Sequence, residues 1–542
     1  MTSQPPVDLD RFPWSRPLVT ACLRDFPSVA SLFAGDPTDR RAWQETVRRV
    51  QGAGRDHAAV SRILTTQLTR RGAPAAAREA ALSLADARTV AVVTGQQAGL
   101  FGGPLYTVLK AITTIQLATR LERDEGVRTV PIFWVEIEDH DWKEVRTTHV
   151  LDADHNVHDI TASDVDGAGQ LPVARLKLDL RINETIAALF DLLPPSAFTS
   201  DLRAQLSARY APGAAMGSAF AGWMDDLFGS YGLVVFEADD PAAKPLVTDL
   251  FVGELEHPGR TSQLAIGTAR AMQALGHAPQ IEPQADSVAL FYLGDDARTP
   301  VKRRGDAFAV GEVVQSPAAL REEASMHPER FSPNVLLRPL VQDRLFPTVC
   351  YVGGPSEIAY QAQLGGVYRA FDVQAPLLMP RVSATLADSA AVRFLERHHL
   401  SLEDLHQEEA TALTRLIERA LPTDVEEATA AMQEAMAERG RVLKDAILTL
   451  DSTLAGAVDT TLDRVRETLQ SLHGKIIQAT KRNDDTLRRQ FKRTYALVYP
   501  GGEPQERTLG VVFFLNRYGP TLIQQLLDAL PLETDKHYLL IP

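Results

Sequence analysis

The chain has 542 residues, 45% of them apolar and 23% charged, and a formal net charge of −14. Such a length allows more than one folding unit, and the acidic balance argues against general nucleic-acid binding, although it leaves room for a local basic pocket around a phosphate-bearing ligand. Two cysteines, Cys22 and Cys350, exclude a disulfide framework and a cysteine-based zinc site; the lack of an apolar signal core in MTSQPPVDLD, or of any run near the roughly 18 apolar residues that span a bilayer, points to a cytoplasmic protein with no membrane partner.

After an irregular, proline-bearing start, helical spacing holds from about Arg40 to Ala87, with Trp43, Val47 and Val50 and then Val60, Ile63 and Leu64 on one face. Gly72 and Pro74 interrupt it. TVAVVT (89–94) is a short buried-strand pattern, followed by the glycine-rich GQQAGLFGGP and a helix over 105–121. VRTVPIFWV (127–135) is a second buried strand. Strand, glycine loop, helix and strand are the signature of a parallel α/β sheet. Residues 150–230 read as an insertion, in which LPVARLKLDLRI alternates like an exposed strand. YGLVVFEA (231–238), PTVCYV (347–352) and APLLMP (375–380) return to strand character. SVALFYL and AFAVGEVV are expected as hairpin partners around Arg303–Asp306.

From 386 to 498 glycine and proline become scarce and helix formers dominate. Leu462, Val465, Leu469, Leu472, Ile476 and Ala479 alternate spacings of three and four, as in a heptad seam that Asn483 continues. Val425, Met432, Met436, Leu443, Ala446 and Leu450 form a similar seam, with Thr429 and Arg439 in the same register. Pro422 and Asp451-Ser452 punctuate the region. An antiparallel helical hairpin with coiled-coil character is expected. Residues 499–542, with TLGVVFFLNRYGP and KHYLLIP, read as strand-rich or packed tail segments that return to a core of residues 1–385.

Five places could carry chemistry. Thr94, Gly95, Gln96, Gln97, Gly99, Gly102 and Gly103 lie between a strand and a helix, where bare backbone and a helix start suit phosphate, and Lys110 lies two turns on. A tight turn without a ligand fits the same spacing, and the loop is neither a Walker loop nor a dinucleotide fingerprint. Glu136, Glu138, Asp139, His140 and Asp141 crowd a strand end. They could hold Mg²⁺ or Zn²⁺, position an amine, or act as general base; a solvated acidic turn is the bland alternative. Arg338 and Gln342, then Tyr351, Gly353, Gly354, Ser356, Glu357 and Tyr360, mark another strand-to-helix turn, on residues alone an ordinary one. Arg381 and Ser383, and Lys481-Arg482-Asn483, read by spacing as polar surface.

TGQQAGLFGGPLYTVLKA, FWVEIEDHDWKEV, FSPNVLLRPLVQD, YVGGPSEIAYQAQ, MPRVSATL and LNRYGP, in this order, resemble the cysteine-ligase family of bacillithiol biosynthesis over nearly the whole chain. The resemblance implies a Rossmann-like core similar to class I aminoacyl-tRNA synthetases, a connecting insertion, a coiled-coil arm and a homodimer. It also implies joining of cysteine to the amino group of glucosaminyl-malate, with ATP, and with Mg²⁺ as a further candidate, activating the carboxylate. The synthetases' His-x-Gly-His stretch and lysine-rich loop are absent. On this reading the loop 95–103 meets phosphates, Arg381 balances their charge, and Glu138, Asp139, His140 and Asp141 form the catalytic cluster, with His140 as base. Arg338, Gln342, Tyr351, Gly353, Gly354, Glu357 and Ser383 join the binding set. The competing expectations are a non-catalytic nucleotide-binding scaffold and an adenylyltransferase for another small acid.

Overall fold

In the computed structural model, which describes residues 5–419, 423–449, 451–483 and 485–542, the β-branched apolar runs form the centre of a parallel sheet. Its strands are β1 (Val90–Gln97), β2 (Thr129–Glu136), β3 (Val234–Glu237), β4 (Thr348–Gly353) and β5 (Leu377–Pro380). Their order is β5-β4-β1-β2-β3, every pair parallel. Both faces are covered, so the first half of β1 is apolar on both: Ala91 and Val93 enter one buried cluster, and Val90 and Val92 another. Helix α1 (Leu105–Glu125) makes the crossover from β1 to β2 and ends at Gly126 in the left-handed conformation. The order reverses between β1 and β4, the place where open α/β sheets leave a crevice at their carboxyl ends.

Residues 1–386 and 505–542 form one compact unit, and residues 387–504 a second. In the first unit, the chain between β2 and β3 carries an antiparallel pair (Thr147–Leu151 with Val157–Thr161) and four α-helices, of which Trp142–Val145 is a single turn. The strand expected over 171–182 is not there. Leu176 and Leu178 do turn inward around exposed Lys177, but only a single bridge to Ala215 forms before the helix Ile182–Leu192 begins.

A separate five-stranded antiparallel sheet includes Leu290–Leu293, Arg298–Arg304 and Ala307–Val310. The turn at Arg304–Ala307 therefore joins 298–304 to 307–310, while 290–293 pairs with the other edge of the first of these; the expected hairpin was one strand short. The C-terminal strand Lys536–Leu540 lies between Val7–Asp8 and Ser383–Leu386. GVVFFLNRY is a helix, Val511–Tyr518, not a strand: residues 511–516 are all buried, and Gly510 and Gly519 bracket the turns.

In the second unit, α3 (Thr423–Leu448) and α4 (Ala455–Asn483) pair antiparallel, as the ion pairs Glu426–His473 and Lys444–Asp459 require. Asp451 accepts the Thr453 N–H at 2.9 Å at the turn between them. The helices approach closely at Gly440, where a Cβ would meet Leu462 at 2.6 Å. That contact sets which faces meet. Leu469 turns inward and Leu462 and Ile476 are half-buried, as the heptad predicts, but Val465 and Leu472 remain 42% and 52% exposed, and Val458 and Ile477 are buried instead. On α3, Met432 and Leu443 likewise face out. Pro422, Leu450 and the side chains of Lys481–Asn483 lie outside the described residues. Among the described residues, no helix is long and apolar enough to cross a membrane.

Candidate active site

The carboxyl ends of β1, β2 and β4 open into a cleft of about 350 Å³. Its floor is a salt-bridged knot. Lys110 of α1 is buried, and its ammonium contacts Gly95 O at 2.8 Å, Gln96 Oε1 at 2.8 Å and Glu357 Oε2 at 2.5 Å. Three donors meet three acceptors, so Lys110 orders the end of β1 and has no donor left for a ligand. Burial pushes its pKa down, opposed by Glu357. Glu357 belongs to α2 (Pro355–Gln361), and it also accepts the Gly354 N–H at 2.7 Å and the Tyr351 hydroxyl at 2.8 Å. Burial would raise the pKa of Glu357, but Lys110 and these donors hold it below the usual carboxylate range.

The cleft is bipolar. On one side, Glu136 follows Trp134 by two residues on the same face of β2, and the indole N–H donates to it at 3.1 Å. Asp139 stands beside it, 35% exposed, held at 3.2 Å by Arg298. Arg298 comes from the antiparallel sheet and stacks 3.6 Å over Phe291. On the other side are Arg338, Arg381 and Arg507. Arg338 donates to the Tyr360 hydroxyl at 3.0 Å and to Gln342 at 3.2 Å, and lies 6.0 Å from the Trp134 ring. Among the described residues no carboxylate lies within ion-pair distance of it; burial opposes its charge, but Tyr360, Tyr351 and the more distant Glu136 hold its pKa above the usual range. Arg381 is clamped by both oxygens of Glu506 at 2.7 and 2.9 Å and sits over Tyr106. Arg507 is exposed. Five cationic groups thus face three carboxylates in a chain whose net charge is strongly negative. An anion is drawn to the arginine side, and an amine to the Glu136–Asp139 side.

Gly95, Gln96, Gln97, Lys110, Asp139, Arg338, Tyr351, Gly354, Glu357 and Arg381 line this cleft. So do Glu136, Ser356 and Tyr360; the other expected residues do not. Thr94 is buried and its hydroxyl ties β1 to β4 through Val352 O at 2.7 Å. Gly99, Gly102 and Gly103 do not form a phosphate cradle, because the loop is packed against protein. A Cβ on Gly102 would lie 2.7 Å from Val511 and 3.0 Å from the Trp223 indole, and one on Gly99 2.9 Å from Gly103. Gly103 O accepts the Val511 N–H at 3.0 Å, so the glycines let the C-terminal segment dock. Gln342 supports Arg338 and donates to buried Asp343 at 2.9 Å. The Gly353 carbonyl accepts the Arg381 N–H. Ser383 is buried between Glu506 and His537.

The acid cluster also divides. Glu138 points away into the core, ion-paired with Lys244; burial raises its pKa to about 7 despite that partner. Asp141 caps the helical turn Trp142–Val145. His140 lies outside the lining, its Nδ1 3.3 Å from Asp139 Oδ1. Of this acid cluster, Glu136 and Asp139 line the cleft. Among the described residues, no group of three or more His, Cys, Asp or Glu side chains converges to hold a metal ion.

Sequence reasoning missed Tyr106, Trp134, Arg298, Asn334 and Arg507. Period-two alternation from Glu136 back to Trp134 was a usable signal. Arg298 and Arg507 come from distant segments and carried none.

Two family models cover the chain. One, described as "Bacillithiol biosynthesis BshC, N-terminal Rossmann-like domain", matches residues 7–382, and the other, the "C-terminal coiled-coil domain" of the same family, matches 384–541. Relatives named "Putative cysteine ligase BshC" include one from Salinibacter ruber, 34% identical over 98% of this chain and 97% of its own. Those from Symbiobacterium thermophilum (32%, 95% of each chain) and Koribacter versatilis (33%, 81% of each) are similar. With a parallel-sheet core, a helical arm and matches along almost its entire length, the chain belongs to the BshC family of bacillithiol biosynthesis.

Proposed function

We propose that the protein is a cytoplasmic ligase that forms an amide between the carboxylate of cysteine and the amino group of glucosaminyl-malate, with ATP. The bipolar cleft at the sheet's reversal point is the observation that carries this reading, together with the names of the relatives. A carboxylate resists attack by an amine at neutral pH, and ATP, when bound, supplies the activation. Arg338, Arg381 and Arg507 are suited to hold its phosphates, and the aromatic faces of Trp134, Tyr106 and Tyr360 to flank a ring. Glu136 and Asp139 orient the cationic amine of cysteine. Asp139, which retains solvent access, accepts the proton that the attacking amine gives up. Arg298 keeps Asp139 in place. Lys110 and Glu357 hold the two glycine turns at a constant separation, so that the anion and amine subsites keep their spacing. Mg²⁺ fits as a companion of nucleotide phosphates rather than as the occupant of a protein cage.

The test is mass-spectrometric detection of product from purified protein, cysteine, glucosaminyl-malate, ATP and Mg²⁺, each omitted in turn. Product that needs cysteine, glucosaminyl-malate and ATP together supports the assignment. Its absence, beside an active relative, moves the reading to another small acid or to a scaffold.

Met432, Leu443, Val465 and Leu472 on the arm favour a homodimer, because these large apolar side chains of a helical hairpin stay exposed in a single chain. Sedimentation of M432E/L443E should shift toward monomer if the arm mediates it.

A further inference from the structure

Arg338 and Arg381 line one cleft but are held in opposite ways. Arg381 is spent on the protein: both Glu506 oxygens and Val382 O take its donors, and its Nε is enclosed. Among the described residues, Arg338 uses two of its five donors, one on the Tyr360 hydroxyl and one on the Gln342 amide oxygen. Behind that amide lies a second buried charge. Gln342 Nε2 donates to Asp343 Oδ1 at 2.9 Å, and the other carboxylate oxygen accepts the Tyr368 hydroxyl at 2.6 Å. Gln342 and Asp343 are both fully buried. Among the described residues, no cation lies within ion-pair distance of this carboxylate. Burial raises its pKa to about 6, against the Tyr368, Gln342 and Thr348 hydrogen bonds and the charge of Arg338. At neutral pH it is ionised and only accepts hydrogen bonds.

Gln342 lies one turn from Arg338 on the helix Arg338–Leu345, so their contact is local. An amide can turn either end toward Arg338. Its oxygen accepts from the guanidinium, whereas its NH2 would set donor against donor. Asp343 decides between the two, because an ionised carboxylate pairs only with the NH2 end. Tyr368, from the helix Gly365–Ala370, fixes the carboxylate in turn. A carboxylate in place of Gln342 would neutralise Arg338, as Glu506 does Arg381. The amide spacer orients the guanidinium and leaves its charge for a ligand.

We propose that Asp343 is a positioning residue for the anion side of the cleft: through the Gln342 amide it aims the remaining Arg338 donors at a phosphate oxygen of the bound substrate. The role rests on the reading of the arginine side as a phosphate subsite.

The test is calorimetry on the full-length protein with sulfate, a tetrahedral dianion like phosphate whose charge does not change near neutral pH. R338A should bind sulfate about tenfold more weakly or worse, the scale of a hydrogen bond to a charged group. D343N lacks the charge but keeps an acceptor for the Gln342 NH2, and should bind sulfate at least as tightly as wild type. D343V lacks both, and should bind about fivefold more weakly than D343N. Because both variants lack the charge, their difference reports the acceptor. In an R338K background, where no planar fork remains to be aimed, the same exchange should change affinity by less than about twofold, whereas a mere packing defect would persist. If D343V fails to fold, Q342M replaces it, with the same loss expected against wild type and the same silence in R338K. Equal sulfate affinity in D343V and D343N, or an undiminished loss in R338K, would overturn the positioning role and leave the phosphate subsite standing. Sulfate binding that is absent from wild type, or unchanged in R338A, would remove the subsite itself and this role with it.

Discussion

Two turns of this protein look alike in one dimension and do different work. Each follows a central strand, contains paired glycines and opens a helix: Gly99–Gly103 after β1 and Gly353–Gly354 after β4. In the first, the space beside the glycines is filled by Val511, Trp223 and the loop's own backbone. In the second, Gly354 faces the cleft, and a Cβ there would meet only Glu357 Oε2, at 3.3 Å. A glycine-rich loop therefore marks close approach, and what approaches can be the protein itself. The cleft side of the β1 turn is its beginning, Gly95–Gln97, where Lys110 ties it to Glu357 across the reversal point.

Substitutions can break or sharpen that contrast. The largest effect is expected at Arg338, which holds Tyr360 of the helix that the second turn opens: R338A should lower kcat/KM for ligation by about 100-fold or more, the scale of losing one fixed charge-stabilising donor. Steady-state kinetics that stay within threefold of wild type would remove Arg338 from the site.

G102A tests the packed turn. With φ at +99° and Val511 2.7 Å from the new methyl, it should destabilise the fold by about 3 kcal/mol. Chemical denaturation measures this, and the surviving folded enzyme should keep its substrate KM. A raised KM at unchanged stability would return that loop to the ligand.

The C-terminal segment that packs on this loop carries a further probe. His537 is buried between Ser383 and Thr385, and burial lowers its pKa from 6.5 to about 4. Because the folded state disfavours the charged imidazole, the unfolded chain binds the proton first. Stability should be intact above pH 6.5 and fall by about 3 kcal/mol as pH drops toward 4. H537N should flatten that slope in urea titrations across pH; an unchanged slope would assign it to other groups.

Smaller again, D139N should slow turnover about 30-fold while H140A stays within about threefold, since only Asp139 lines the cleft. The reverse ranking would restore His140 as the base. G354A is expected to leave stability within about 1 kcal/mol and to raise KM, the mirror image of G102A.

The sequence by itself determined the parallel core and the helical arm. Short valine-rich apolar runs at 90–94 and 348–352 read as strands covered on both faces, and long stretches poor in glycine and proline with heptad spacing read as paired helices. It also marked the strand ends bearing Gln96, Gln97 and Asp139 as places for chemistry, because the carboxyl ends of parallel strands converge; Gly354, Glu357 and Arg381 joined the candidates only through the family resemblance. Tertiary structure decided what each residue does there. Glu138 and Asp139 are neighbours in sequence, yet one turns into the core against Lys244 and the other into the cleft beside Arg298. Arg298, Arg507 and the Glu506 that clamps Arg381 come from segments more than 100 residues away from the groups they serve. Burial and pairing between such distant segments depend on packing in three dimensions, and no local pattern encodes them.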